Sequence, residues 1–396
     1  DTGKFALHTL DENETIAKLA TGLRRFELPE EHNFIRIWQQ IAENDDRVAE
    51  KALQRLANTF TNRRQYEKAA EGWRKSIDRF GPGRRNHKEE KLNQIVENMG
   101  RFVNTSSQPA DQPARVDFRF RNAENVRFTA HRVKVEKLID SVKEYIESNP
   151  QDFEREKMML RNIGWRIVKK NQDQFVGEQV ASWELDLEPR PNHFDKIITV
   201  STPLQKAGAY LLKADVKNGN TCKIILWVQD TSIVKKRIHN GNYIYVADAV
   251  NGKPIPKANV ELFGFDRDWK QNAYDIKTRN FAEYTDKQGQ LLLKNEDLSR
   301  GYRWMIIARK DDRLAYLGFD RVWGAHYRKR EYQRDKTFIM TDRPVYRPEQ
   351  SVQFKGWIRR AKYDLDLQSS RHANSQVRVT IHSPKDKKVF EETLET

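Results

Sequence analysis

The segment TDRPVYRP, residues 341–348, separates two stretches of alternating polarity and decides how the end of the chain folds. Each of its two prolines lacks a backbone N–H group and has a fixed φ angle, so neither suits the middle of a hydrogen-bonded sheet. Tyr346 stands between them and can pack its ring while its hydroxyl forms a hydrogen bond. Because strands are predicted at Lys336–Met340 and Val352–Trp357, the segment is interpreted as the point where a strand enters a β-sandwich.

Together with VQFKGW at residues 352–357, this segment resembles the signature that opens a macroglobulin-like domain in the alpha-2-macroglobulin family. The sequence departs from that pattern at Glu349, where the family usually has glycine after the second proline. A turn that needs a positive φ angle would be strained there by glutamate. The motif is given a structural role, and none of its residues is predicted to be a functional site.

Two earlier passages resemble bacterial members of the same family. GAYLLKA at 208–214 with LWVQD at 226–230 is similar to the closing strands of one macroglobulin-like domain. VADAVNGKPIPKANV at 246–260 is similar to the next domain, although this pattern also occurs in prealbumin-like and surface-adhesion domains. In this order the three passages cover roughly residues 114–396.

The chain is predicted to be multidomain, α-helical first and β-rich afterwards. A helical-repeat module of tetratricopeptide-like type is followed by tandem antiparallel β-sandwiches of the macroglobulin-like type, the first with a helical insertion. The polar stretch at 104–113 marks the first boundary. The predicted divisions are 1–110 for the helical module, 114–234 for the first sandwich with its insertion at 134–172, 238–326 for the second sandwich, and 336–396 for the start of a third, incomplete one.

The residues from Glu12 to Val103 are predicted to be helical, because helix-forming residues dominate there and no proline occurs between Glu30 and Gly81. Seven residues fall at the spacing of a helical hairpin repeat of about 34 residues, namely Leu53, Leu56, Ala57, Phe60, Ala69, Trp73 and Ser76. One repeat cannot bury its apolar face alone, so segments 34–41 and 88–99 are expected to stack on either side of it.

Basic residues outnumber acidic ones, 72 against 57, for a net charge of +15. Such a charge can attract nucleic acid, an anionic envelope polymer or acidic proteins. The basic residues are scattered through every segment, which is typical of a basic surface. The best nucleic-acid candidate, residues 326–336, also contains Glu331 and Asp335 and is interpreted as an interdomain linker, so no nucleic-acid partner is expected.

No catalytic, cofactor-binding or metal-binding residue is predicted, and the chain is not expected to be an enzyme. Its nine histidines show no metal-ligand spacing, and the sequence has no nucleophile elbow, phosphate loop or dinucleotide fingerprint. Cys222 is the sole cysteine, so no intrachain disulfide can form. It lies in the apolar run TCKIILW at 221–227 and is interpreted as a small strand residue.

The family resemblance implies a protease trap. In that mechanism a protease cuts an exposed bait segment, the protein rearranges and cages it, and many members acylate the protease with an internal thioester. Cys222 is followed by Lys223, Ile224 and Ile225 and does not fit the thioester motif, so bait and thioester are expected beyond Thr396. The chain is predicted to be a scaffold segment of such an inhibitor, with proteases as partners of the full-length protein and a protein partner for the helical module.

The same resemblance implies an extracytoplasmic location, in the periplasm or cell envelope. No stretch approaches about 18 consecutive apolar residues, and the residues from Asp1 lack the features of a signal peptide, so either the protein is cytosolic or its export signal lies upstream of Asp1. The sequence leaves open an alternative from another class, a cell-envelope binding or adhesion protein that displays the repeats and sandwiches as a ligand surface. A cytosolic nucleic-acid binder rests on net charge alone.

Overall fold

The computed structural model describes residues 7–103, 107–150, 154, 157, 167, 172–238, 241–270, 273–294, 297–298, 301–321, 335–343, 345–346, 350–360, 372–383 and 385–396. The chain forms two compact units. The first comprises Asp1–Val135 and Ile163–Val228, and the second comprises Glu136–Asn162 and Gln229–Thr396.

The first unit starts with a β-hairpin and four helices. These elements are β1 (Glu14–Leu19), β2 (Gly22–Glu27), α1 (Phe34–Ala42), α2 (Arg47–Asn62), α3 (Tyr66–Phe80) and α4 (His87–Val96). The helical prediction is wrong for residues 14–27, where β1 pairs with β2 in antiparallel register. Gly22 closes the turn with a φ angle of 115°, and Ile16 and Phe26 favour strand over helix.

The helices pack as the repeat spacing predicts. All seven residues at that spacing are buried, and α1 and α4 add Ile35 and Ile95 to the same core. Gly72 on α3 faces Ala57 on α2 so closely that an added Cβ atom would lie 3.2 Å from the Ala57 Cβ. Two helices can therefore approach here only because both residues are small. The tetratricopeptide-like assignment itself stays a prediction.

A β-sandwich completes the first unit. Its strands are β3 (Met99–Phe102), β4 (Gln108–Pro109), β5 (Arg115–Arg121), β6 (Asn125–Val133), β7 (Val176–Asp186), β8 (Lys196–Ser201), β9 (Gly208–Val216) and β10 (Thr221–Gln229). One sheet has the order β3-β5-β8 and the other has the order β4-β10-β9-β6-β7. Since β3 begins at Met99, the helical prediction is also wrong for the last residues before Val103.

The alternating apolar residues at 116–120 and 126–130 predict two short strands joined as a hairpin, and this pairing is wrong. The two strands exist, but β5 pairs with β3 and β8, whereas β6 pairs with β7 and β9. Phe118 of β5 and Phe128 of β6 meet across the core, with ring centroids 5.4 Å apart. Asn122 in the connection has a φ angle of 59°, which lets the chain cross between sheets.

The second unit contains α5 (Val135–Glu147) apart from its first residue, and a second sandwich. The strands are β11 (Thr231–Ile238), β12 (Gly241–Asp248), β13 (Asn259–Lys270), β14 (Ala273–Tyr284), β15 (Gln290–Lys294), β16 (Arg303–Lys310) and β17 (Arg313–Arg321). They form sheets of order β11-β12-β15 and β14-β13-β16-β17. Most of the remaining predicted insertion, up to residue 172, lies outside the described residues.

The central strands β13 and β16 of the four-stranded sheet are buried on both faces. Leu262 of β13 belongs to the core between the two sheets, whereas its neighbour Phe263 points to the opposite face and is also fully buried. Helix α5 covers that opposite face, because Lys143 contacts both Glu261 and the ring of Phe263. The helix predicted as an insertion of the first sandwich thus packs within the second unit.

The dipeptide Asn251-Gly252 forms a tight turn, with a φ angle of 74° at Gly252. The sequence pattern predicts a hairpin between the strands on either side, and this is wrong, because β12 and β13 lie in different sheets. After the turn the chain pairs back only at the bridge between Ala247 and Pro254. Pro254 and Pro256 lack N–H donors, so a longer ladder cannot form.

The last segment forms two hairpins, β18 (Asp335–Thr341) with β19 (Phe354–Arg360) and β20 (Gln376–His382) with β21 (Lys388–Glu395). The sequence also predicts a strand at Val377–His382, and this strand is confirmed as β20. The strands predicted at Lys336–Met340 and Val352–Trp357 are confirmed as β18 and β19. Of the linker predicted at 326–336, residues 326–334 lie outside the described residues, as do both prolines of the TDRPVYRP motif. Asp335 and Lys336 belong to β18, so the linker prediction is wrong for these two residues. In the part of the chain that the structure describes, no helix is long and apolar enough to cross a membrane.

Candidate functional site

Cys222 lies in β10, where it pairs with Ala214 of β9 and packs against the core of the first sandwich. Burial raises the pKa of the Cys222 thiol to about 11. Because a thiolate is the nucleophilic form, this side chain is poorly suited to covalent chemistry at neutral pH. Among the described residues, no group of three or more His, Cys, Asp and Glu side chains could hold a metal ion.

The motif that decides the last segment is organised by Asp342. The Tyr346 hydroxyl donates to Asp342 Oδ1 and accepts a hydrogen bond from the Arg343 N–H at 3.1 Å. The Gln353 N–H also donates to Asp342 Oδ1, at 3.0 Å. The hydrogen bond from Tyr346, together with those from Gln353 and Arg343, lowers the pKa of Asp342 below its usual value. These contacts tie the end of β18 to the start of β19 and make the motif a structural lock.

A groove with a volume of about 710 Å³ lies between α1 and α2. We call it the α1–α2 groove. It is lined by two aromatic side chains of α1 and six polar ones of α2, namely Phe34, Trp38, Lys51, Gln54, Arg55, Asn58, Thr59 and Asn62. None of these eight residues is acidic. The groove therefore combines two positive charges with side-chain amides and aromatic rings.

A second groove, of about 410 Å³, lies on the other side of α2. Leu53, Leu56 and Phe60 contribute apolar surface to it. Its charged residues balance, with Lys68, Lys75 and Arg79 against Glu12, Glu43 and Glu71. Two of these acids are already paired, since Lys68 lies 2.7 Å from Glu12 and Lys75 lies 2.7 Å from Glu71. This groove therefore has no excess charge of either sign that would attract a charged ligand.

The α1–α2 groove is held in shape by fixed cationic side chains. Arg63 is buried and donates to the backbone oxygens of Asp11, at 3.0 Å, and Glu14, at 2.7 Å. Its guanidinium lies 5.6 Å from the centroid of the Phe34 ring. Arg55 stacks in the same way on Trp38, at 5.3 Å. Such cation–π contacts fix the orientation of both rings.

Comparison with known protein families finds a match for the last segment of the chain. Residues 336–396 match the MG2 domain family model. The last segment of the chain is therefore similar to an MG2 domain. The resemblance seen in the TDRPVYRP motif is thereby confirmed, because the Asp342 lock lies inside the matched span. Comparison with curated protein sequences finds no match.

Solved structures of alpha-2-macroglobulins are also similar. Escherichia coli alpha-2-macroglobulin spanning domains MG0-NIE-MG1 is 19% identical with a TM-score of 0.37, over 56% of this chain and 64% of that one. The native E. coli protein seen by cryo-EM is 20% identical with a TM-score of 0.33, over 76% of this chain and 17% of that one. A Salmonella alpha-2-macroglobulin mutant is 16% identical with a TM-score of 0.35, over 76% and 17%. The chain thus spans only part of each relative.

The sequence predicts no binding residue, and the α1–α2 groove is not among its predictions. A signal was present, since Gln54, Asn58 and Asn62 repeat every four residues on one side of a predicted helix. Such a repeat is also typical of an ordinary solvated helix face. Only the position of Phe34 and Trp38 on the neighbouring helix converts this face into a groove.

Proposed function

We propose that this chain is a scaffold segment of a protease-trapping inhibitor of the alpha-2-macroglobulin type. The observation that carries the proposal is the MG2 match at residues 336–396, preceded by two β-sandwiches in the order expected of successive macroglobulin-like domains. In this proposal the chain performs no catalytic step and binds no cofactor. Its role is to hold the parts of the inhibitor that engage the protease.

The structure of the sandwiches suits a frame. The first has a core of alternating side chains from two sheets, including Phe118, Phe120 and Phe128, which are fully buried. In the second, the central strands of the four-stranded sheet are buried on both faces, and α5 is held on this sheet by the ion pair of its Lys143 with Glu261. A frame of this kind transmits force, because close-packed cores deform little.

The proposal places the full-length protein outside the cytoplasm, in the periplasm or cell envelope, where it would meet foreign or misdirected proteases. Its partners would be proteases, captured through parts of the full-length protein other than this segment.

The test uses the full-length protein, an endoprotease such as trypsin, and two substrates of different size. A caged protease keeps its active site open to small molecules but excludes large ones. We expect excess protein to abolish cleavage of casein while most cleavage of a small chromogenic peptide remains. Size-exclusion chromatography should show the protease eluting with the inhibitor, and heat-denatured inhibitor is the control.

Loss of activity on both substrates would instead indicate a blocked active site and would contradict trapping. Full activity on both substrates, with no comigration, would contradict inhibition altogether. In the second case, binding of the protein to isolated cell-envelope material in the absence of protease would favour the adhesion alternative.

A further inference from the structure

The α1–α2 groove carries unbalanced positive charge. Lys51 and Arg55 are exposed and lie one helical turn apart on α2, and none of the eight lining residues is acidic. Glu50 contacts this row, because its carboxylate accepts a hydrogen bond from Gln54 at 3.3 Å. That carboxylate is already paired with the buried Lys88, at 2.7 Å. The charge of the groove therefore favours an anionic ligand.

The polar side chains are arranged as a row. Gln54, Asn58 and Asn62 are four residues apart, so they repeat roughly every 6 Å along the axis of α2. An extended peptide repeats every two residues, at about 6.6 Å. Each side-chain amide has both donors and an acceptor, so the row can pair with successive backbone groups of a peptide of any sequence. Asn58 is already oriented, because its Nδ2 donates to the Gln54 backbone oxygen at 2.8 Å.

The opposite wall supplies apolar contact. Phe34 and Trp38 are also four residues apart, and the Phe34 side chain is 36% exposed although a cation fixes its ring. An exposed aromatic ring held in place offers a binding surface at low entropic cost. Alternate side chains of an extended peptide point in opposite directions. Its apolar side chains can therefore contact Phe34 and Trp38 while the side chains between them face α2.

We infer that the α1–α2 groove binds an acidic peptide segment in extended conformation. The row from Lys51 to Asn62 spans roughly 16 Å along the helix, which corresponds to about five extended residues. Acidic side chains of the peptide pair with Lys51 and Arg55, its backbone pairs with the amide row, and its apolar side chains contact Phe34 and Trp38. The ligand is a segment of a partner protein, and the inference does not depend on protease trapping.

The experiment measures fluorescence anisotropy of a labelled hexapeptide of alternating glutamate and leucine, titrated with the whole chain. The matched peptide of alternating lysine and leucine tests the sign of the charge. The variants are Lys51→Ala with Arg55→Ala, and separately Trp38→Ala. Lys75→Ala is the control, because Lys75 is an exposed lysine of the balanced groove.

We expect the acidic peptide to bind and the basic one not to bind. The double variant should weaken binding by about tenfold or more, because two charge-assisted contacts are lost. Trp38→Ala should weaken it several-fold at unchanged salt dependence, and Lys75→Ala should leave the affinity within about twofold, as surface substitutions away from a site do. Far-UV circular dichroism verifies that each variant keeps its helices. Lys51 and Arg55 are exposed, so their variant carries the test even if Trp38→Ala unfolds α1.

Equal binding of both peptides, or unchanged affinity in the double variant, would overturn the inference. A sulfated oligosaccharide that binds in the same groove more tightly than the acidic peptide would also overturn it and would assign the groove to anionic glycans. Absence of any binding by the acidic peptide would also overturn the inference, and the row of amides would then be an ordinary solvated helix face.

Discussion

The ammonium group of Lys88 lies 2.7 Å from the carboxylate of Glu50, and the Lys88 side chain is completely buried. The same ammonium donates to the backbone oxygens of Ser76, at 3.2 Å, and Gly81, at 2.8 Å. One residue of α4 thereby fixes the side of α2 and the end of α3. Burial of a lysine side chain is costly unless such partners replace the water that it loses.

Replacement of Lys88 by alanine should destabilise the helical region. The substitution leaves a cavity and a carboxylate without its cation, and removal of one partner from a buried pair costs about 3 kcal/mol. Hydrogen–deuterium exchange of the α3 and α4 amides would measure this as a lower local opening free energy. Lys91→Ala is the control, since Lys91 is an exposed residue of the same helix. Equal protection in both variants would contradict the role of Lys88.

Much of the fold was predictable because hydrophobic period determines the type of element. Val116, Phe118 and Phe120 alternate and form a strand, whereas Leu53, Leu56 and Phe60 recur at helical spacing and form a helix. The prediction for residues 14–27 was wrong because their charged residues are also common in helices. Gly22 and the short alternation of apolar residues instead favour the hairpin that forms there.

Strand pairing was less predictable than strand position. The segments around Phe118 and Phe128 both face one core, and a hairpin and a crossover between sheets bury these positions equally well. Likewise the turn at Gly252 was predicted from the sequence, but its hairpin was not formed. The prolines after the turn limit pairing with β12 to one bridge, and the next strand, β13, lies in the other sheet. The α1–α2 groove was unpredictable for the same reason, because it depends on which helix lies beside α2.

Substitution of Tyr346 by phenylalanine should raise the pKa of Asp342 toward its ordinary value, about 3.9 for an aspartate. The Tyr346 hydroxyl makes the largest contribution to the lowered pKa, and phenylalanine keeps the ring while removing that donor. A carbon-detected NMR titration of the Asp342 carboxylate measures the shift. Thr341→Val serves as the control, because the Thr341 hydroxyl donates to the Arg343 backbone oxygen and not to Asp342. An unchanged titration in Tyr346→Phe would refute the proposed lock.

Substitution of Glu261 by glutamine should loosen α5 in a pH-dependent way. Burial opposes ionisation of Glu261, but hydrogen bonds from Lys143 and Arg309 outweigh it and keep its pKa below the usual value. A depressed pKa contributes stability above the unfolded value, about 4.3 for glutamate, and that stability is lost as pH falls through the folded pKa.

The α5 amides should therefore be better protected from exchange in the wild-type protein than in Glu261→Gln at pH 7. The protection in the two proteins should become equal as the pH falls below about 4. Hydrogen exchange of α5 across this range measures the difference. Glu136→Gln is the control, because Glu136 is 64% exposed and lies 3.4 Å from Arg309. A constant difference at every pH would show that the glutamine acts through packing and not through charge.

Cys222 should react slowly with thiol reagents in the native protein. With its pKa raised to about 11 by burial, its thiolate fraction at pH 8 is smaller than that of an ordinary cysteine by about a hundredfold. Iodoacetamide labelling followed by mass spectrometry should therefore be slower by at least this factor in native protein than in urea, and its native rate should rise steadily between pH 8 and 10. Labelling at similar rates in both states would mean that β10 opens readily, and it would weaken the argument that this cysteine is a structural residue of the sandwich.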